Sequence, residues 1–92
     1  MADTSMTFLQ LRIARLLSKA GSEGLVGREL RDALTWTAGY ATFYSCLRTM
    51  AERRWLKRTS EVEPGRGPRK RYTLTQMGQK AHDRAMKLLG VK

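Results

Sequence analysis

The sequence predicts an α+β domain that is mainly helical, and three observations carry that prediction. Apolar residues recur at helical spacing over residues 9–20, 43–51 and 77–88, with a shorter run at 30–34. Between residues 56 and 74 the pattern changes to alternation on either side of Glu63-Pro64-Gly65-Arg66-Gly67-Pro68, a turn rich in proline and glycine. Finally, 92 residues with 41% hydrophobic content suffice for one domain with a modest core. They leave no second lobe to enclose a catalytic cavity.

Residues 1–6 are expected to be a frayed start. Thr7 with Gln10 makes a capping box for a first helix over 7–20, with Met6 and Leu11 at the hydrophobic-staple positions. Leu9, Ile13, Leu16, Leu17 and Ala20 form its inward stripe, and Gly21 stops it. Met6, Phe8 and Leu11 stand partly off that stripe, as surplus apolar surface for another helix or another subunit. Leu25-Val26 is a candidate for a very short strand. A brief second helix spans 27–34, with Leu30, Ala33 and Leu34 inward.

The third helix, 38–53, organises the rest, with Thr37 as its expected N-cap. Phe43, Tyr44, Leu47, Met50 and Ala51 share its buried stripe, while Tyr40, Ala41, Thr42, Ser45, Arg48, Thr49 and Glu52 face outward. Small hydrogen-bonding residues near the helix start and an arginine two turns in suit insertion into a polar groove. A hairpin over 55–74 follows, with Tyr72 and Leu74 on one face and a long tip. Thr75 caps a last helix, 76–89, whose inward face is Met77, Ala81, Ala85 and Leu88. His82, Met86 and Leu89 stand beside it.

Charge gives this fold a direction. The formal net charge is +10, with five Lys/Arg against four acids in residues 1–47 and thirteen against four in residues 48–92. Clustered positive charge of this kind implies a polyanionic partner, most commonly nucleic acid. A membrane surface would call for a basic amphipathic helix, whereas the densest charge here sits at a turn, and no apolar run approaches the length of a membrane span. The expectation is a cytoplasmic protein. Arg66, Arg69, Lys70 and Arg71 place four cations in six residues at and after a Gly/Pro tip, approached by Arg53, Arg54, Lys57 and Arg58. Such an arm suits a phosphate backbone or a narrow minor groove.

Catalytic signals are weak by comparison. The single cysteine, Cys46, and single histidine, His82, fall on different helices with no third ligand in sight, so neither a metal site nor a cofactor is expected. Gly65 and Gly67 precede a strand, whereas a nucleotide-binding glycine loop opens a helix.

Two motifs add a family. Tyr44-Ser45-Cys46-Leu47, followed by Met50, Trp55 and Leu56, resembles the YxxLxxLxxxGL run of PadR-like transcriptional regulators. Arg71-Tyr72-Thr73-Leu74-Thr75-Gln76-Met77-Gly78 is similar to the strand-to-helix signature that closes the wing in that family and in the MarR group. The resemblance covers roughly residues 9–85. It implies a winged helix-turn-helix fold, recognition by the third helix in the major groove, and repression by a dimer. Arg54 stands where the family usually has glycine, and typical members continue past the fourth helix into a helical dimerisation domain.

The resulting expectation is a winged helix-turn-helix protein that binds double-stranded DNA as a homodimer and is not an enzyme. Its DNA-binding residues would be Thr37, Tyr40, Ala41, Thr42, Tyr44, Ser45, Arg48, Thr49, Arg66, Arg69, Lys70 and Arg71. Its dimer interface would use Met6, Phe8, Leu11, Met86 and Leu89. The rivals are sequence-independent binding to chromatin or RNA, and a winged-helix protein–protein module with an acidic partner.

Overall fold

Thr7 opens the first helix, α1 (Phe8–Ala20), through reciprocal bonds: its Oγ1 accepts from Gln10 N at 3.2 Å, and Gln10 Oε1 accepts from Thr7 N at 2.8 Å. Satisfying that amide locally lets Gln10 be buried. Gly21 ends the helix at φ 66°, its N–H donating to the Leu17 carbonyl. The computed structural model describes residues 6–34, 39–65, 67–88 and 90, without the side chains of Tyr40 and Glu63. The start at residues 1–5 and the expected roles of Thr37, Arg66 and Leu89 lie outside the described residues.

A strand β1 (Leu25–Val26) leads directly into α2 (Gly27–Ala33), where Glu29 Oε1 reaches back to Val26 N at 2.9 Å. Then come α3 (Tyr40–Glu52), β2 (Leu56–Glu63), β3 (Gly67–Leu74) and α4 (Gln76–Leu88). The sheet is antiparallel in the order β1-β3-β2. Helices plus a hairpin wing in this order make a winged helix-turn-helix domain, as the sequence predicts. Ile13, Leu17, Leu30, Phe43, Leu47 and Met50 are the fully buried centre, closed by Trp55, Leu56, Tyr72 and Ala81.

Several expected details differ. On α1 the buried set is Gln10, Leu11, Ile13, Ala14 and Leu17, while Leu9 and Leu16 are half-buried. Met6 and Leu11, 7% and 9% exposed, are committed to the chain's own core. On α4 the inward face is Gly78, Ala81 and His82, and Met77 and Leu88 point outward at 55% and 78% exposure. The expected face is rotated because glycine and histidine carry no hydrophobic signal, yet α4 packs through Gly78 and His82 beside Ala81. α3 starts at Tyr40, with Gly39 in the cap position.

The wing tip is also tighter than its composition implies. Glu63 pairs with Gly67 and Val62 with Pro68, so only residues 64–66 connect the strands. Gly65 and Gly67 take φ of 83° and 76° to make that turn. β1 covers β3 only at Arg71 and Tyr72, so Pro68 lies where β3 has one neighbour and an open side.

The junction after α3 fixes how the wing sits against that helix. Arg54 takes φ 64°, the one non-glycine residue with positive φ among the described residues. Its N–H donates to the Ala51 carbonyl and the Trp55 N–H to the Met50 carbonyl, each at 3.0 Å, the paired bonds of a Schellman stop. Arginine thus ends the helix in the conformation that glycine adopts at lower cost. Thr75 then clamps the turn: its hydroxyl lies 2.6 Å from the Arg54 carbonyl and 3.0 Å from the Trp55 carbonyl, while its N–H donates to Trp55 O at 2.9 Å. The same Oγ1 accepts from Gly78 N at 3.0 Å and caps α4. A Cβ on Gly78 would stand 2.2 Å from the Trp55 carbonyl oxygen, so only glycine lets α4 lie this close. The Thr75-to-Gly78 motif is therefore a clasp between α4 and the end of α3.

Candidate nucleic-acid interface

Ala41, Thr42, Ser45 and Arg48 are exposed along one side of α3, with Thr49 half-buried at its margin. The opposite side carries Phe43, Leu47 and Met50 into the core, which fixes the helix's rotation. Tyr40 opens the helix; its side chain lies outside the described residues. Cys46 is half-buried, and burial pushes its thiol up to about 11, so it stays protonated and unreactive at neutral pH.

Beside this face lies a cleft of about 470 Å³ bounded by Val26, Gly27, Arg28, Tyr44, Arg48, Arg58, Gly67, Arg69, Lys70 and Tyr72. Its floor is aromatic: the Tyr44 and Tyr72 rings both approach the position a Gly27 Cβ would take, at 3.6 Å. The Phe43 ring holds Tyr44 edge-on, with centroids 4.9 Å apart and planes at 84°. Its walls are cationic, with Arg28 from α2, Arg48 from α3 and Arg58, Arg69 and Lys70 from the wing. Among the described residues, Arg28, Arg48, Arg58 and Lys70 make no ion pair or side-chain hydrogen bond. Unpaired cations around a concave surface concentrate positive potential there.

Strand register explains which wing cations reach the cleft. Leu56 pairs with Leu74, Arg58 with Tyr72 and Ser60 with Lys70, so these share the face that turns toward α3. Arg69, Arg71 and Glu61 share the other face, and Arg69 closes the cleft's outer end from there. Glu61 accepts from Arg69 Nε at 2.7 Å and from Arg71 Nε and NH2 at 3.0 and 3.1 Å. Hydrogen bonds from Arg71, then Arg69, hold the Glu61 carboxyl below the usual carboxylate range. Arg71 NH1 donates to the Glu23 carbonyl at 3.1 Å, so this side chain straps the wing to the loop after α1.

The expected site residues thus separate. Ala41, Thr42, Ser45, Arg48 and Thr49 lie on one face, continuous through Arg48 with the cleft that holds Tyr44, Arg69 and Lys70. Arg71 is tied back instead. Arg28 and Arg58 join the cleft without having been singled out as site residues. Arg58 was recoverable from the sequence had the turn been centred on Gly65, since that register pairs it with the inward Tyr72. Arg28 carries no such signal, because only the packing of α2 against the wing brings it there. At the other pole, Phe8 is 69% exposed and Met86 half-buried. Both line an apolar groove of about 440 Å³ between α1, α2 and α4, whose rim carries Arg12, Arg15 and Lys19.

Comparison with known proteins places this architecture. The transcriptional regulator PadR-like family matches residues 16–84. A candidate transcriptional regulator from Thermoplasma acidophilum is 26% identical with a TM-score of 0.76, over 89% of this chain and 80% of that one. A PadR family transcription regulator from Clostridium difficile is 20% identical with a TM-score of 0.71, over 91% and 92%. Bacillus subtilis PadR, solved in complex with operator DNA, is 23% identical with a TM-score of 0.70, over 84% of this chain and 47% of its own. No curated protein sequence matches the chain closely. No helix among the described residues is long and apolar enough to cross a membrane.

Proposed function

The chain belongs to the PadR-like family of transcriptional regulators, and we propose that it acts as a homodimeric repressor that binds a specific duplex DNA sequence. The observation that carries this reading is the continuity of the exposed α3 face with a cationic cleft in which Arg28, Arg48, Arg58 and Lys70 make no ion pair or side-chain hydrogen bond among the described residues. Thr42 and Ser45 are positioned for base edges in the major groove, and Arg48 for guanine or phosphate at its border. Arg28, Arg58 and Lys70 hold the backbone on either side, where contacts position the helix without reading sequence, and Arg69 stands at the cleft's outer end. Tyr44 adds a half-buried ring at the cleft floor. Arg66 remains a candidate at the tip, and Thr37 and Tyr40 before and at the start of α3. Bacillus subtilis PadR, which shares this fold, is solved in complex with operator DNA, and that supports duplex DNA as the partner.

A dimer is proposed because one module reads too few base pairs to find an operator among a genome's competing sites. Two-fold pairing sets two recognition helices about 34 Å apart on one face of the duplex. Phe8, Met86 and Leu89 are retained for that interface, joined by the exposed Leu88; Met6 and Leu11 are withdrawn because their own core buries them.

Selection of bound sequences from a random duplex pool tests the whole reading. Enrichment of a palindrome is the expected result, and recovery of no sequence preference would sink it. Sedimentation equilibrium should give twice the 10.5 kDa chain mass. Phe8→Asp, at a residue exposed in the single chain, should yield a folded monomer with weakened operator binding; a wild type that stays monomeric on DNA would remove the dimer.

A further inference from the structure

The wing carries more positive charge than it presents. Arg69 and Arg71 stand two residues apart on one strand face, and between them sits the single carboxylate of Glu61, directly across from Arg69 in the register. It bonds both guanidiniums, at 2.7 Å to Arg69 and at 3.0 and 3.1 Å to Arg71. A further bond of Arg71, from its NH1 to the Glu23 carbonyl at 3.1 Å, turns that arginine away from the cleft and toward the loop after α1. On the other strand face, Arg58 and Lys70 have no such partner among the described residues.

A pair like this adds little to stability at a partly exposed position, since solvent screens the charges and fixing long side chains costs entropy. It acts strongly, however, on a polyanion. Two arginines sharing one carboxylate present one net positive charge, and their committed N–H groups are withheld from phosphate. Phosphate contacts raise affinity for every duplex alike, so withholding them favours sequences that the helix reads by base contacts. We infer that Glu61 is a positioning residue that restrains the wing, holding Arg69 and Arg71 back from phosphate and thereby favouring the specific site over random DNA. This inference rests on the proposed DNA-binding function, but its effect is also readable on a polyanion without sequence.

The test compares Glu61→Gln with wild type on a random-sequence duplex and on a duplex selected by wild type, across a salt series. The freed arginines should tighten random-duplex binding and steepen the log–log salt slope, by about 0.9 for one new phosphate contact and about 1.8 for two. The ratio of specific to random affinity should fall, and Glu61→Asp, which keeps the charge, should restore most of it. A merely structural role would instead weaken binding to both duplexes and leave the slope unchanged or shallower, which would overturn the assignment. Elution from heparin supplies a reading independent of duplex. Glu61→Gln should elute at higher salt than both wild type and Asp32→Asn, which makes the same unit change of charge on α2. Equal elution of the two variants would overturn the inference. Failure of wild type to bind duplex, with the heparin difference intact, would overturn the proposed function and leave Glu61's restraint standing.

Discussion

The two sides of α3 use polar groups in opposite ways. Behind its C-terminus, Arg54, Trp55, Thr75 and Gly78 form a junction in which backbone donors and acceptors find partners inside the chain. In front, Arg28, Arg48, Arg58 and Lys70 ring a cleft and find none among the described residues. Internal satisfaction fixes geometry, because each bond lost would leave a shielded group uncompensated. Charges left open cost little in water and remain available to a ligand. Substitutions behind the helix should therefore change stability first, and substitutions in front should change binding first.

The sharpest attempt to break this contrast is Gly78→Ala. In most helix interiors the change stabilises by about 1 kcal/mol. Here the new methyl meets the Trp55 carbonyl and the Leu74 side chain, and relieving that overlap should cost about 3 kcal/mol. Urea denaturation reads the difference, and a stabilised variant would show that α4 does not need this close approach. Next in size is Thr75→Val, which keeps shape but removes the hydroxyl that caps α4 and clamps the turn. A loss of about 1–2 kcal/mol is expected, read as a lower calorimetric midpoint. An unchanged midpoint would mean that the Thr75 N–H to Trp55 O bond alone holds the clasp.

Arg54→Gly should run the other way. Releasing an L-residue from the left-handed region is worth about 1 kcal/mol, somewhat offset by the greater freedom of glycine in the unfolded chain. A net gain, measured by denaturant midpoint with unchanged salt slope on DNA, would place Arg54 with the junction. A flatter slope would move it to the interface. The smallest expected effect on stability belongs to Arg58→Ala combined with Lys70→Ala, within about 0.5 kcal/mol. Their effect should appear instead as a binding slope shallower by about 1.8. A destabilised double variant that binds DNA with the wild-type slope would reverse the contrast altogether.

Much of this molecule follows from sequence alone because its signals are local. The α1 capping box, the helical stripe of Phe43, Leu47 and Met50, the Gly/Pro turn and the Thr75 cap each depend on residues a few positions apart. The family signature at residues 71–78 was legible for the same reason, and its physical meaning is the clasp onto α3. What the sequence left open depends on contacts between distant segments. The inward face of α4 includes a buried histidine and a glycine set against the Trp55 carbonyl and Leu74, which hydrophobic periodicity does not register. One residue of hairpin register decides whether Arg58 and Lys70 or Arg69 and Arg71 turn toward α3, since side chains alternate strictly along a strand. Composition counted four wing cations as equivalent; only pairing across the sheet with Glu61, and the reach of Arg71 to the Glu23 carbonyl, divided them.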